Sequence, residues 1–214
     1  MEKIALINVL PKVFSGKADS GSDIWLKKLD FVKGQKYLVE AVSGTGKSSL
    51  GSFMYGYRKD YDGSITFDGE DIKTFQPHRW VELRKHSLSI LFQELRLFAE
   101  LTAWENIKLK NDLTGYRTES EIGSWFDELG IADRKDQKIG KMSFGQQQRV
   151  AFIRALCQPA DFLFMDEPVS HLDKQNGMIM ARILEEEMHK NGMGVIVTSI
   201  GHQMEMCYDV VLKL

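Results

Sequence analysis

The chain has 214 residues, enough for one large globular domain, and its 43% hydrophobic and 27% charged residues exclude an intrinsically disordered protein. Its formal net charge of -2 provides no overall positive field, so we expect no nucleic-acid partner. The two cysteines, Cys157 and Cys207, lie in no zinc-ligand or redox spacing, which indicates a reducing, cytoplasmic setting. No apolar run is long enough to span a bilayer, so work at a membrane would require a partner there.

The predicted elements alternate between strand and helix along most of the chain. A Gly/Ser/Asp-rich stretch at 15–23 predicts a hairpin loop between two early strands, and a β-rich run at 35–40 leads into a helix from Lys47 to about Tyr57. Later strands are predicted at 62–67, 88–92, 162–165, 195–197 and 210–212, and helices at 104–110, 119–129 and 144–157. A further helix has Met178, Ala181, Leu184 and Met188 on one face. This alternation predicts a mainly parallel sheet flanked by helices.

The strongest motif is Ser43-Gly44-Thr45-Gly46-Lys47-Ser48-Ser49, between a predicted strand and a predicted helix. Glycines let backbone N–H groups approach a phosphate chain closely, and the helix N-terminus adds its dipole. Lys47 would supply a positive charge to the outer phosphates, and the Ser48 hydroxyl would coordinate Mg²⁺. Ala41 stands where this pattern usually has its first glycine, so we expect strain there if the position needs a positive φ.

A second motif places two carboxylates directly after the apolar run 162–165. Asp166 is suited to hold the Mg²⁺ shell, and Glu167 is suited to orient or deprotonate an attacking water. An acidic turn before a proline is common by itself. Downstream of a phosphate-binding loop, it indicates a nucleotide-hydrolysing site.

A third motif, Met142-Ser143-Phe144-Gly145-Gln146-Gln147-Gln148-Arg149, predicts a helix that is capped by Ser143 and leaves backbone N–H groups free for an anion. With this motif, the chain resembles the ATP-binding cassette (ABC) ATPases. The segment resembles their LSGGQ signature, 91–94 resembles their Q-loop and 170–173 their D-loop. The resemblance extends from about Ile4 to Leu214 and is closest to the short cassettes of lipoprotein release, macrolide export or cell division.

The resemblance implies an α/β fold of the P-loop NTPase type, with a mainly parallel sheet flanked by helices, a small antiparallel β subdomain and a helical subdomain. The whole chain, 1–214, would be one ATPase domain, with the helical subdomain inserted at about 94–142. ATP and Mg²⁺ are the implied ligands. Two cassettes, expected to be identical, would bind two ATP molecules head to tail and drive a separate membrane-spanning permease subunit at the inner face of the membrane.

The family's functional positions are carried over to this chain by alignment of the motifs. The phosphates would be bound by Ser43, Gly44, Thr45, Gly46, Lys47, Ser48 and Ser49, and across the dimer by Ser143, Gly145 and Gln146, with Asp173 linking the two sites. The metal would be held by Ser48, Gln93 and Asp166, and the catalytic residues would be Glu167, Lys47 and Gln93. Phe14 stands where the family often stacks an aromatic ring on adenine, Trp25 is a second candidate, and a core role is open for both.

Two departures from the family pattern leave alternatives open. Phe144 replaces the first glycine of the signature, and Ser199 stands at the position of the switch histidine. His202 would either reach the γ-phosphate on a remodelled loop or lie at the surface. The first hypothesis is therefore an ATPase subunit that docks its permease near 94–101, through Leu95, Leu97 or Phe98 unless these are buried. The second is a slow-hydrolysing ATP-dependent clamp that regulates a membrane or cell-envelope partner.

Overall fold

The structure, a computed structural model, describes residues 1–16 and 21–214. The predicted loop at 15–23 therefore lies partly outside the described residues, and the strands on either side of it do pair. The strands are β1 (Lys3–Pro11), β2 (Lys28–Val32), β3 (Lys36–Glu40), β4 (Tyr61–Phe67), β5 (Glu70–Asp71), β6 (Leu88–Leu91), β7 (Phe162–Asp166), β8 (Gly194–Ser199) and β9 (Val210–Lys213). The helices are α1 (Lys47–Met54), α2 (Pro77–His86), α3 (Ala103–Asn111), α4 (Glu119–Glu128), α5 (Phe144–Leu156) and α6 (Lys174–Asn191).

Five strands form a parallel sheet in the order β6-β7-β8-β3-β9. At its carboxyl edge, Glu40 of β3 pairs with Ser199 of β8, and Asp166 of β7 pairs with Thr198 of β8. The loops that follow β3 and β7 therefore leave the sheet on either side of β8. In open α/β sheets this edge, outside the carboxyl ends of the strands, is where ligands bind.

Each face of this sheet is covered by its own apolar cluster. Side chains alternate along each strand, so Leu38 and Leu163 face the cluster that contains the helices α3 to α6, whereas Val39 and Phe164 face the other cluster. That second cluster packs against α1, α2 and an antiparallel sheet in the order β2-β1-β4-β5. The predicted fold class, a parallel sheet between helices with a smaller antiparallel sheet, is confirmed.

The helical segment between β6 and α5 is fixed by caps and by one buried ion pair. Thr102 and Thr118 each form a capping box, which satisfies the first N–H groups of α3 and α4. Arg117 contacts the carboxylate of Glu187 on α6, and Glu187 is almost fully buried. Within the described ranges, no helix has both the length and the apolar composition needed to cross a bilayer.

Three local predictions differ from the structure. The helix α1 ends at Met54 rather than near Tyr57, because the chain turns at Gly56, whose φ is 73°. The helix α2 was not predicted, since only Trp80 and Leu83 of its ten residues are buried. Met178 does not share the buried face of α6, because half of its surface is exposed.

Candidate functional site

The loop between β3 and α1 and the turn after β7 border an open cleft of about 380 Å³. It is lined by Val13, Phe14, Val42, Ser43, Gly44, Gly46, Lys47, Ser48, Ser49, Gln93, Glu167 and Ile200. Nine of these twelve residues are site residues that the sequence predicts. Asp166 lies beneath the cleft, where its Oδ2 accepts a hydrogen bond of 3.2 Å from Ser48 Oγ. Thr45 shapes the loop by donating its hydroxyl hydrogen to the carbonyl of Val42 at 2.8 Å.

The glycines of the loop are required by its conformation. Gly44 and Gly46 have φ values of 84° and 99°, in the left-handed region. A Cβ at Gly46 would lie 2.9 Å from the Phe14 ring and 3.1 Å from the Trp25 ring. Ala41 is not among the residues with positive φ, and its N–H donates to the carbonyl of Ser199 at 3.0 Å. The strain expected at Ala41 is therefore absent.

The two candidate aromatic residues have different positions relative to the loop. Trp25 is only 3% exposed, and its Nε1 donates to the carbonyl of Thr45 at 2.9 Å, so it supports the loop from beneath. Phe14 is partly exposed and lines the cleft beside the exposed side chains of Val13 and Val42. Phe14 is thus the aromatic ring that the cleft presents to a ligand.

The charged groups at the base of the cleft are paired with one another. Lys47 is buried, its Nζ lies 3.2 Å from Asp166 Oδ1, and it contacts the carboxylate of Glu167 directly. Asp166 Oδ1 also accepts a hydrogen bond of 2.6 Å from Thr198 Oγ1. A buried charge is stable only when it is paired and hydrogen-bonded, and these three side chains meet that condition through one another.

Glu167 is held in place by its backbone. Its φ is 51°, a left-handed conformation that costs a residue with a side chain about 1–2 kcal/mol. Its N–H donates to the carbonyl of Thr198 at 3.1 Å, and its carbonyl accepts from Gln148 Nε2 at 3.0 Å. Strain of this kind persists where the surrounding structure imposes it, and it clusters at functional sites. The backbone of Glu167 is therefore fixed at the wall of the cleft.

The oxygen atoms beside Lys47 suit a small divalent cation. The Ser48 hydroxyl and the Asp166 carboxylate are adjacent, and Gln93 lines the same cleft. Mg²⁺ prefers hard oxygen ligands and usually takes only one or two from the protein, with water and phosphate completing its shell. No cluster of three His, Cys, Asp or Glu side chains among residues 1–16 and 21–214 could hold a metal by itself. The residues present therefore fit Mg²⁺ that arrives with a phosphate ligand.

The signature residues do not line the cleft of their own chain. Ser143 caps α5 in a capping box with Gln146, and Asp173 caps α6 by accepting from the N–H of Asn176, which lowers the pKa of Asp173. A Cβ at Gly145 would lie 2.9 Å from the carbonyl of His171, so glycine is needed where α5 approaches the 170–173 loop. Phe144 is 43% exposed, with its ring edge-on to the His171 ring at 4.4 Å. These side chains form a surface separate from the cleft.

Neither Ser199 nor His202, the two residues that the sequence suggests, is the residue that the loop after β8 presents to the cleft. Ser199 is 2% exposed, and its hydroxyl donates to the carbonyl of His202 at 2.7 Å, away from the cleft. His202 is exposed and is not a cleft residue. Ile200 lines the cleft instead. Sequence reasoning did not select Ile200, Val13 or Val42, because isolated apolar residues in loops carry no motif.

Comparison with known proteins agrees with this architecture. The family model described as "ABC transporter" matches residues 27–170. The lipoprotein-releasing system ATP-binding protein LolD of Geobacter metallireducens is 31% identical over 80% of this chain and 77% of its own length. The macrolide export ATP-binding/permease protein MacB of Shewanella sp. strain ANA-3 is 30% identical over 83% of this chain, which spans only 27% of MacB.

Among solved structures, the dimeric structure of the bacterial ABC transporter cassette MJ0796 shares the fold with a TM-score of 0.82. It is 23% identical, and the match covers 98% of this chain and 94% of that one. The family match covers the phosphate loop, the signature helix and both acidic residues. The chain therefore belongs to the ABC transporter family and is an ATPase of the ATP-binding cassette type.

Proposed function

We propose that this cassette binds and hydrolyses Mg-ATP as one half of a head-to-tail dimer that drives a separate membrane-spanning subunit. The observation that carries the proposal is the convergence of Lys47, Ser48, Asp166 and Glu167 at one cleft, at the carboxyl edge of the parallel sheet. A cation, a hydroxyl and two carboxylates at the end of a glycine-rich loop are the groups that phosphoryl transfer requires.

Nucleotide binding would rearrange the charges of the cleft. The loop from Ser43 to Ser49 surrounds the phosphates with backbone N–H groups, and Lys47 turns from Glu167 to the outer phosphates. Phe14 offers its ring to the adenine. Ser48, Asp166 and Gln93 would hold Mg²⁺, which supplies charge neutralisation between the phosphates.

Release of Lys47 would free Glu167 for its catalytic role. A carboxylate that no longer pairs with lysine accepts a proton from, or orients, the attacking water. The position of Glu167 is supported by backbone hydrogen bonds to Thr198 and from Gln148. Gln93, across the cleft, is placed to orient the same water or to contact the metal.

A second cassette would complete the site. Ser143, Gly145, Gln146 and Asp173 lie outside the cleft of their own chain, yet the N-terminus of α5 suits an anion. Placing two chains head to tail would bring this surface onto the phosphates of the nucleotide that the other chain binds. The MJ0796 cassette, which shares this fold, was solved as a dimer. A pair of identical chains is the simplest assembly of this kind.

The names of the relatives support a separate membrane subunit. MacB is named as an ATP-binding and permease protein, and this chain corresponds to about a quarter of it. LolD, of which this chain spans 77%, is named as an ATP-binding protein only. We infer that the chain acts as one domain, 1–214, with its helical subdomain at about 94–142. It would work at the cytoplasmic, inner face of the membrane, through a permease partner that docks beside 94–101.

A slow-hydrolysing regulatory clamp is the second candidate. Ser199 directs its hydroxyl away from the cleft and Ile200 lines it, so no polar side chain from this loop faces the phosphates. The test is steady-state phosphate release by the purified chain with Mg-ATP, with and without membranes that contain the partner. Turnover that rises with the partner supports the transporter subunit, and slow turnover under both conditions supports the clamp. Absence of ATP binding would contradict both.

A further inference from the structure

None of the described residues that line the nucleotide cleft is a histidine. Ser199, at the position of the switch histidine, donates its hydroxyl hydrogen to the carbonyl of His202, and Ile200 lines the cleft instead. An imidazole that contacts the outermost phosphate would therefore have to come from another part of the molecule or from a second chain.

The five histidines of the chain differ in their positions relative to the nucleotide-binding surfaces. His78 and His86 lie on α2, and neither lines the cleft. His189 lies near the end of α6, about 22 Å along the helix axis from its first residue. His202 is exposed but does not line the cleft. His171 is the histidine that lies beside the N-terminus of α5, the helix that carries the signature residues.

The imidazole of His171 is held by two neighbours. Its ring lies edge-on to the ring of Phe144, with 4.4 Å between the ring centres, and its Nδ1 lies 2.8 Å from Ser170 Oγ. The Ser170 hydroxyl also lies within hydrogen-bond distance, 3.2 Å, of the carbonyl of Glu167. His171 is exposed, and its Nε2 has no hydrogen-bond partner among the described residues. The ring is therefore oriented by its surroundings and keeps one nitrogen for a ligand.

This imidazole and the N-terminus of α5 lie next to each other. Phe144 and Gly145 are the first two residues of α5, and the carbonyl of His171 lies 2.9 Å from the place that a Cβ of Gly145 would occupy. The capping box of Ser143 satisfies the N–H of Gln146, which leaves the N–H groups of Phe144 and Gly145 for an anion. An anion bound there would lie beside the imidazole that packs on Phe144.

We propose that His171 supplies, to the cleft of the other chain in the dimer, the imidazole that the cleft loop of that chain does not supply. In the head-to-tail pair, His171 Nε2–H donates a hydrogen bond to the outermost phosphate of the nucleotide bound by the second chain, beside the N–H groups of Phe144 and Gly145. This inference rests on the proposed function, since it requires that the N-terminus of α5 lies on the phosphates of the other chain's nucleotide.

The Ser170 hydroxyl prepares the imidazole for this role. A hydroxyl has a single hydrogen, and when Ser170 donates it to His171 Nδ1, the neutral imidazole carries its own hydrogen on Nε2, where it can be donated. The carbonyl of Glu167 then still accepts from the N–H of Ser170 at 3.4 Å and from Gln148 Nε2 at 3.0 Å. Rotation of one hydroxyl hydrogen therefore selects the required tautomer and leaves that carbonyl hydrogen-bonded.

The proposal connects the two departures from the family pattern. Phe144 replaces a glycine of the signature and provides the ring against which His171 packs. Ser199 replaces the switch histidine and turns its hydroxyl away from the cleft. The first change holds an imidazole at the surface that meets the second chain, and the second change leaves the cleft of that chain in need of one.

The test adds His171→Ala, His171→Gln or His171→Glu to the full chain that carries Glu167→Gln, and sedimentation equilibrium with saturating Mg-ATP measures the dimer dissociation constant. His171→Ala should weaken the dimer about 100-fold, because each dimer holds two of these contacts and each accounts for about tenfold. His171→Gln keeps an N–H donor and should stay within about tenfold of the His171 chain. His171→Glu has the same shape as His171→Gln but places a carboxylate against the phosphate, so it should weaken the dimer more than His171→Ala. His202→Ala is the matched control and should leave the dimer unchanged.

The ATP affinity of the single chain, measured at protein concentrations at which every variant is monomeric, should be the same for all of them, because His171 does not line its own cleft. Equal dimerisation of His171→Gln and His171→Glu, or of His171→Ala and its parent, would overturn the proposal and leave the head-to-tail dimer intact. A loss of ATP affinity in monomeric His171→Ala would also overturn it, since the residue would then act on its own chain. A Glu167→Gln chain that binds ATP and stays monomeric would instead remove the proposed assembly, and this inference with it.

Discussion

The nucleotide cleft and a second cavity, which we call the cationic groove and which is lined by Tyr55, Tyr57, Phe92, Arg96, Lys110 and Arg154, hold their charges in opposite ways. In the cleft, Lys47 is compensated by Asp166 and Glu167 before any ligand arrives. Lys110 and Arg154 in the groove, and Arg84 behind it, are held by carbonyl oxygens, and none of the three has a carboxylate of the described residues within ion-pair distance. A ligand at the cleft must therefore replace an existing partner, whereas a ligand at the groove supplies a missing one. Removal of a lysine should have opposite effects on stability at the two sites.

The largest effect is expected from Glu167→Gln. Turnover should fall by about 10²–10⁴, because the amide cannot accept a proton from water. ATP affinity should stay the same or increase, since Lys47 loses a competing carboxylate. Phosphate release and equilibrium nucleotide binding measure the two quantities, and light scattering should show an ATP-dependent dimer. A variant that binds ATP and remains monomeric would count against the head-to-tail assembly.

Lys47→Ala should weaken ATP binding by about 10- to 100-fold, because it removes charge-assisted hydrogen bonds to the phosphates. It should also destabilise the free chain by about 3 kcal/mol, since Asp166 and Glu167 are left side by side without a cation. Urea unfolding without nucleotide measures this loss, with Lys47→Arg as the control that keeps the charge. Unchanged stability would show that the cleft is not self-compensated.

Lys110→Gln should do the reverse and stabilise the free chain by about 1–3 kcal/mol at neutral pH, because a desolvated cation is removed. The pKa of Lys110 is lowered to about 8 from 10.5, so the folded state binds its proton less well than the unfolded state. The stability of the parent should therefore rise relative to that of the variant as the pH increases from about 8 to 10.5. Parallel stability curves for the two proteins would remove the contrast between cleft and groove.

The smallest effect is expected from His202→Ala. His202 is exposed and the cleft wall at this loop is Ile200, so ATP affinity and turnover should change by less than about twofold. The same two assays as for Glu167→Gln apply. A turnover loss of tenfold or more would mean that the loop closes differently when ATP is bound, with the histidine at the phosphates.

Much of the fold and the cleft could be predicted because a short local pattern determines them. Four apolar residues followed by Asp166 and Glu167 indicate a strand buried on both faces that ends in carboxylates. Parallel strands bring their carboxyl ends to one edge, so the phosphate loop after β3 and the acidic pair at the end of β7 had to meet. The roles assigned to the individual residues of the cleft remain predictions.

Features that depend on packing could not be predicted in this way. The helix α2 begins at Pro77 and has three large apolar side chains, Trp80, Val81 and Leu83, of which Val81 is exposed, so it shows almost no apolar periodicity. The position of Trp25 beneath the loop depends on a hydrogen bond to Thr45, a residue 20 positions away. The cationic groove is formed by side chains from separate segments, and no local pattern shows that their carboxylate partners are missing.

The hydrogen bond from the Trp25 indole to the carbonyl of Thr45 gives the phosphate loop an optical signal of its own. Indole emission responds to the polarity and hydrogen bonding around the ring, and this ring touches the segment that surrounds the phosphates. Trp104 and Trp125 lie in the helical segment and Trp80 lies behind the groove, away from the loop. Titration with ATP should therefore change the intrinsic fluorescence of the unlabelled chain through one tryptophan, and Trp25→Phe should abolish that change.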